Sequence, residues 1–236
     1  MLSKEIQTIL EDAGKTGWVV EPEAKKLLSL AGLNVPRFTW ATGWDQALQF
    51  AHAIGYPVAV KVVSPDILHK SDVRGVMVGI DTDEKLSAAF HHFSALRGFA
   101  GMVVEEMVSG VELIIGAKVD YQFGPVILLG IGGTGVEIYK DRCLRMAPLD
   151  QKEAETMIKS LKARQLLEGH RGSKPVCVSA LTHMLAGFSD LVMQLEDHIE
   201  SIDLNPVMCS PDTCVIADAR IMLHSKHAAT AAGREP

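Results

Sequence analysis

The chain has little of what marks several common protein classes. Its four cysteines, Cys143, Cys177, Cys209 and Cys214, form no C-x-x-C pair and match no zinc-ligand spacing. Neither a disulfide framework nor a structural zinc site is expected, and the pattern fits a reduced, cytoplasmic compartment. Basic charge is not in surplus: 23 Lys and Arg stand against 29 Asp and Glu, a formal net charge of −6. The electrostatic footprint of a nucleic-acid binder is therefore absent. No apolar run approaches the about 18 residues that a membrane-spanning helix needs, and the opening MLSKEIQTILED has no apolar signal-peptide core. The chain is thus expected to bind no membrane. It carries no internal repeat, no low-complexity tract and no G-x-x-x-x-G-K-[ST] phosphate loop.

What is present is an ordinary globular composition, 47% apolar and 22% charged over 236 residues, enough for one large domain or two lobes. Helical spacing of apolar residues predicts helices over Pro22–Ala31, Asp45–Ile54 and Asp83–Leu96. Asp150 with Glu153 has the form of a capping box opening a further helix, and Ser179 is the expected cap of a long one carrying Leu181, Leu185, Phe188 and Leu195. Strands are expected at Pro57–Val63, Gly75–Ile80, Met102–Met107, Val111–Val119, Pro125–Leu129, Ile199–Leu204 and Cys214–Ala219. Hairpin-like strand pairs sit among the helices without a strict βαβ series, so the class is α+β. A lobe boundary falls near Met107–Gly110, and the tail after His224 is expected to fray.

Four features could carry chemistry. Lys61 interrupts the otherwise apolar run Pro57–Val63. A buried ammonium is costly without an anion, so it reads either as a phosphate-binding lysine or as an edge-strand lysine reaching water. The segment Ser64–Val76 packs His69, Lys70, Ser71, Asp72, Arg74 and Gly75 into one short turn. Its cations and free N–H groups suit a phosphate, and His69 could act as base or nucleophile; a plain solvated loop is the alternative. Gly130-Ile131-Gly132-Gly133-Thr134-Gly135 resembles a dinucleotide fingerprint, but the spacing is off and Val136–Tyr139 continues as a strand. A glycine hairpin that admits a ligand and a flexible turn both remain open. Finally, Asp203 and Asn205 alternate along one strand, and a turn at Ser210-Pro211-Asp212 can bring Asp218 alongside. Three hard oxygen ligands suit Mg²⁺ with a nucleotide, while Asx turns before Pro206 would explain the same residues. The remaining histidines show no ligand spacing.

The strings GYPVAVKVVSPDILHKSD, FGPVILLGIGG, LLEGHRG, DLNP and ADAR, in this order, resemble the ATP-grasp domain of ADP-forming acyl-CoA synthetases, in particular the separate β subunit of ADP-forming acetate–CoA ligase. The resemblance runs from about Glu21 to Leu223. It implies an ATP-grasp fold, one unit over residues 1–236, with an N-terminal lobe at about 34–107, a second lobe from about 1–33 and 108–224, a frayed tail at 225–236, and the nucleotide between the lobes.

By the same resemblance, Lys61 grips the nucleotide phosphates. The strand end at Glu105, Glu106 and Met107 receives adenine, Glu112 lies near the ribose, and Gly132 and Gly133 form the glycine turn. Lys70, Ser71, Asp72 and Gly75 make the phosphate loop, and His69 takes a phosphoryl group in some members. Asn205 and Asp218 match Mg²⁺ ligands, with Asp203 beside the metal; Arg171 has no assignable role. One departure is Arg74, which stands where the family commonly has the first of two glycines.

The implied activity is that of an acid–CoA ligase (ADP-forming) subunit. Acyl-CoA, ADP and phosphate exchange with free acid, CoA and ATP, through a phosphohistidine loop on a CoA-binding α subunit, and the family implies a heterotetramer. ATP or ADP with Mg²⁺ would be the cofactor set. A regulatory ATP-binding module and the ATP-grasp part of a protein acetyltransferase system are the competing readings.

Overall fold

The computed structural model describes residues 2–133, 141–169 and 174–224. The expected strand at Val136–Tyr139, Arg171 and the tail at 225–236 lie outside them. Two sheets organise what is described. The smaller has the order β2-β5-β3-β4, all antiparallel, from β2 (Phe38–Ala41), β3 (Val58–Val63), β4 (Val76–Ile80) and β5 (Gly101–Glu106). The larger has seven strands in the order β1-β11-β9-β6-β7-β8, with β10 also paired to β9. They are β1 (Trp18–Val19), β6 (Val111–Asp120), β7 (Gly124–Ile131), β8 (Arg142–Met146), β9 (Ile199–Cys209), β10 (Cys214–Ile216) and β11 (Ala219–Leu223).

Each sheet buries one face under helices, and each has its own core. Val58, Val60 and Val62 of β3 alternate inward with Met102 and Val104 of β5. They meet Ala47 and Ala51 of α3 (Trp44–Ile54) and Leu86, Ala89 and Phe93 of α4 (Asp83–Ser94). Thr82 caps α4 by accepting from Lys85 N. In the larger sheet Leu113, Ile115, Ile127, Leu129, Ile202 and Leu204 pack against α1 (Lys4–Ala13), α2 (Glu21–Leu30), α5 (Gln151–Ser160) and α6 (Val178–Leu195). The capping box is present at α5, where Asp150 Oδ1 accepts from Glu153 N at 2.7 Å and Glu153 accepts from Asp150 N at 3.0 Å.

Several expectations need correction. The long helix α6 is capped at Cys177, not Ser179, which lies inside the first turn. The strand expected over Cys214–Ala219 is two strands, β10 and β11, and Ala217-Asp218 forms the link between them. The strand β9 runs five residues past Leu204. Helix α1 and strands β1, β2 and β8 were not foreseen from apolar periodicity; β2 and β8 are short and poorly buried.

Strand periodicity explains Lys61. It points away from the Val60–Val62 face, so it leaves the small core and turns towards the larger sheet, as does Glu105 on the neighbouring strand. All six residues of β3 are buried because helices cover one face and the other lobe covers the second.

Candidate functional site

Between the sheets lies a cavity of about 370 Å³. From the small-lobe side it is lined by His69, Lys70, Ser71 and Asp72, and from the larger sheet by Asp203, Asn205, Asp218 and Arg220. The first four come from a one-turn 3-10 helix at Lys70–Val73 and its entry residue, in the connection from β3 to β4. Asp203 and Arg220 face each other across β9 and β11, 3.3 Å apart. Asn205 N donates to Asp218 O at 3.1 Å, so the two segments are fixed in register where the oxygen side chains converge.

Gly75 and Arg74 shape the loop. A Cβ on Gly75 would sit 2.6 Å from Val62 Cγ1 and 2.9 Å from Lys70 O, so only glycine fits. Arg74 closes the 3-10 turn at φ 52°, ψ 37°, the left-handed conformation that disfavours a side chain. Its position therefore has a conformational preference for glycine, which this chain leaves unmet.

Behind the cavity wall is a buried charge cluster. Lys61 Nζ lies 2.8 Å from Glu21 Oε1, 2.6 Å from Ala217 O and 3.0 Å from Glu105 Oε1. Lys25 Nζ lies 2.9 Å from Glu21 Oε1 and is also hydrogen-bonded to Glu105 Oε2. Lys70 Nζ reaches Glu21 Oε2 at 2.8 Å and Asp218 Oδ1 at 3.2 Å. Burial would raise the Glu21 carboxyl, but Lys25, Lys61 and Lys70 outweigh it and hold Glu21 well below the usual carboxylate range. The balance is opposite at Asp218, where burial and the Glu21 charge push the carboxyl up to about 6 against Lys61 and Lys70. Burial likewise raises Asp203, with Arg220 opposing. Lys61 is held strongly protonated: the carboxylates of Glu21, Glu105 and Asp218 overcome the effect of its burial.

The sequence candidates thus fall into groups. His69, Lys70, Ser71, Asp72, Asp203, Asn205 and Asp218 share the cavity. Lys61 does not line it, standing 3.9 Å from Asp218 in the cluster behind. Glu105 turns its side chain into that cluster, Glu106 pairs with Arg37 at 2.6 Å, and Met107 is exposed. Glu112 meets the glycine turn separately: Gly132 N donates to Glu112 O at 2.7 Å, and a Cβ on Gly132 would lie 2.9 Å from that carbonyl. Glu21 and Lys25 were missed by sequence reasoning. The only signal was an i,i+4 pair at the start of a helix, a pattern that usually faces water.

The donor set around the cavity fits a cation carried by a nucleotide. Mg²⁺ takes one or two carboxylates and completes its shell from phosphate and water. Asp203, Asn205 and Asp218 offer such oxygens, and among the described residues no three His, Cys, Asp or Glu side chains converge to hold an ion on their own.

Residues 11–223 match the model of the ATP-grasp domain. The chain belongs to the ATP-grasp family. The α+β class and ATP-grasp fold expected from sequence are borne out. This ATP-grasp chain is 39% identical over 213 residues to the acetate–CoA ligase [ADP-forming] I subunit beta of Pyrococcus furiosus, covering 87% of this chain and 91% of that one. It is 41% identical over 220 residues to the corresponding II subunit beta of the same organism, covering 89% and 93%. It also superposes, with a TM-score of 0.82 and 37% identity over 93% of this chain and all of the other, on an acetyl-coenzyme A synthetase of Ca. Korarchaeum cryptofilum. That structure holds coenzyme A and Mg-AMPPCP, with a phosphohistidine segment pointing towards the nucleotide-binding site. No helix among the described residues is long and apolar enough to cross a membrane.

Proposed function

We propose that this chain is the nucleotide-binding subunit of an ADP-forming acyl-CoA synthetase and transfers a phosphoryl group between a phosphohistidine and ADP. The observation that carries this reading is the cavity itself. A histidine- and lysine-bearing loop from one lobe faces Asp203, Asn205 and Asp218 from the other across a single space.

Phosphoryl transfer needs alignment and charge neutralisation more than covalent machinery. Lys70 supplies a cation at the wall, and Lys61 supplies positive charge from behind. Asn205 and Asp218 would hold Mg²⁺, which when bound offsets the charge of the phosphate oxygens. Asp203, tied to Arg220 at 3.3 Å, would face the incoming phosphohistidine. In the forward step the P–N bond of the phosphohistidine breaks as a P–O bond to the β-phosphate of ADP forms, and the histidine is left free. His69 is exposed on the rim of the cavity, where it could take the phosphoryl group on its way. Glu105–Met107 and Glu112 with Gly132 and Gly133 would receive the adenine and ribose.

The partner in this reading is a CoA-binding α subunit with a phosphohistidine loop, in a heterotetramer, and the acyl and CoA pockets lie on it. Co-expression with such a partner, followed by an acid-labile phosphoprotein assay, tests the proposal. The chain alone is expected to bind Mg·ADP and to make no acyl-CoA; robust acyl-CoA synthesis by the chain alone would overturn it. His69→Ala is expected to keep nucleotide binding and to abolish turnover of the complex, and normal turnover would remove His69 from the pathway.

A further inference from the structure

Lys61 and Lys70, the two lysines that the smaller sheet and its loop bring to the cluster, are in different states. An ammonium has three protons, and Lys61 has three oxygens within 3.0 Å: Glu21 Oε1, Ala217 O and Glu105 Oε1. Its capacity is used, and it is withdrawn from the cavity wall. Lys70 lines the cavity and hydrogen-bonds Asp218 Oδ1. It also stands 2.8 Å from Glu21 Oε2, yet this approach lacks hydrogen-bond geometry, and that buried oxygen has no hydrogen-bond partner. A carboxylate oxygen that holds Lys70 by charge alone, without an aligned hydrogen bond, gives the lysine up to another anion at smaller cost than a fully bonded pair would, while Lys25 and Lys61 still hold the carboxylate.

We propose that Glu21 is a positioning residue that acts as an internal counter-anion to Lys70, so that a nucleotide phosphate is bound in competition with its carboxylate. This rests on the reading of the cavity as the phosphate site. Glu21 is 4% exposed on the first turn of α2, in the larger lobe, while Lys70 comes from the loop of the smaller one. Lys25, fully buried one turn along the same helix, keeps the carboxylate ionised in a place where burial would otherwise favour the neutral acid. The cluster contains three lysines, Lys25, Lys61 and Lys70, and three carboxylates, Glu21, Glu105 and Asp218. Removing the Glu21 charge leaves the cluster with one positive charge in excess, with Lys70 the member that lines the cavity. Glu21 thereby sets affinity for phosphate-bearing ligands specifically.

The test is calorimetric titration of the full chain with Mg·ADP and, separately, with adenosine, which has no phosphate. In Glu21→Gln the ratio of Mg·ADP to adenosine affinity is expected to rise about tenfold, and the gain to vanish when Lys70→Met is added. A ratio that is unchanged or lower overturns the proposal, because a purely structural role would weaken both ligands alike. Retention of the gain without Lys70 also overturns it. Where Glu21→Gln does not fold, Glu21→Asp, which withdraws the oxygens by one methylene and keeps the charge, is expected to raise the ratio about threefold; no rise has the same consequence. A wild-type chain that prefers adenosine to Mg·ADP refutes the nucleotide site instead.

Discussion

The back and the front of the interlobe site use the same residue types for different ends. At the back, Lys25 and Lys61 are buried against Glu21 and Glu105, with side-chain exposures of 0 to 6%. At the front, Lys70, Asp203, Asp218 and Arg220 keep 15 to 41% exposure and line a cavity. A buried ion pair adds little net stability over an apolar core, but losing one member is severe because a charge is left without a partner. A partly exposed pair can exchange its partner for a ligand or water at small cost. The back fixes geometry, and the front is left free to react.

The largest expected effect breaks the back. Lys25→Met leaves Glu21 and Glu105 to share Lys61 and strips Glu105 Oε2 of its buried cation, and should lower the unfolding free energy by about 3–5 kcal/mol in urea denaturation. Lys70→Met, at the front, should cost about 1 kcal/mol in the same measurement while weakening Mg·ADP. Equal losses for the two would erase the distinction.

The next effect is pH dependence. Glu21 is held below its ordinary value of 4.5 in the folded chain, so it contributes stability that is present above that value and lost as pH falls towards the lowered folded value. The Glu21 contribution should therefore be lost as pH drops below about 4.5, so the denaturation midpoint of Glu21→Gln, less stable at neutral pH, should fall less steeply there than that of the wild type. The smallest effect concerns the loop that carries the front. Arg74→Gly relieves a left-handed residue and should stabilise the chain by up to about 1 kcal/mol in thermal unfolding.

Much of this arrangement was legible in the sequence because it was written locally. A lysine inside an apolar strand run reads as the partner of an anion or as an edge-strand lysine, and Glu21 and Glu105 decide for the anion; Asp150 with Glu153 announced a helix start. Asn205 and Asp218 could be placed side by side from alternation and one turn. The back of the site was not legible. Glu21 and Lys25 look like a solvated helix pair, and only partners 40 and 80 residues away in sequence bury them. Lys61 was recognised as anomalous, but its withdrawal from the cavity depends on Ala217 O, a backbone group that no side-chain pattern reveals. Strand β8, mostly exposed at the sheet edge, carries too little apolar alternation to be read.

The lysines of the small lobe, Lys61 and Lys70, find Glu21, Ala217 O and Asp218 on the large one. Each such pair spans the seam, so drawing the lobes apart would hydrate several charged groups at once. Charged groups gain hydration when exposed, and added salt screens the attraction that remains. The seam between the two sheets is thus closed at this point by counter-ions rather than by grease.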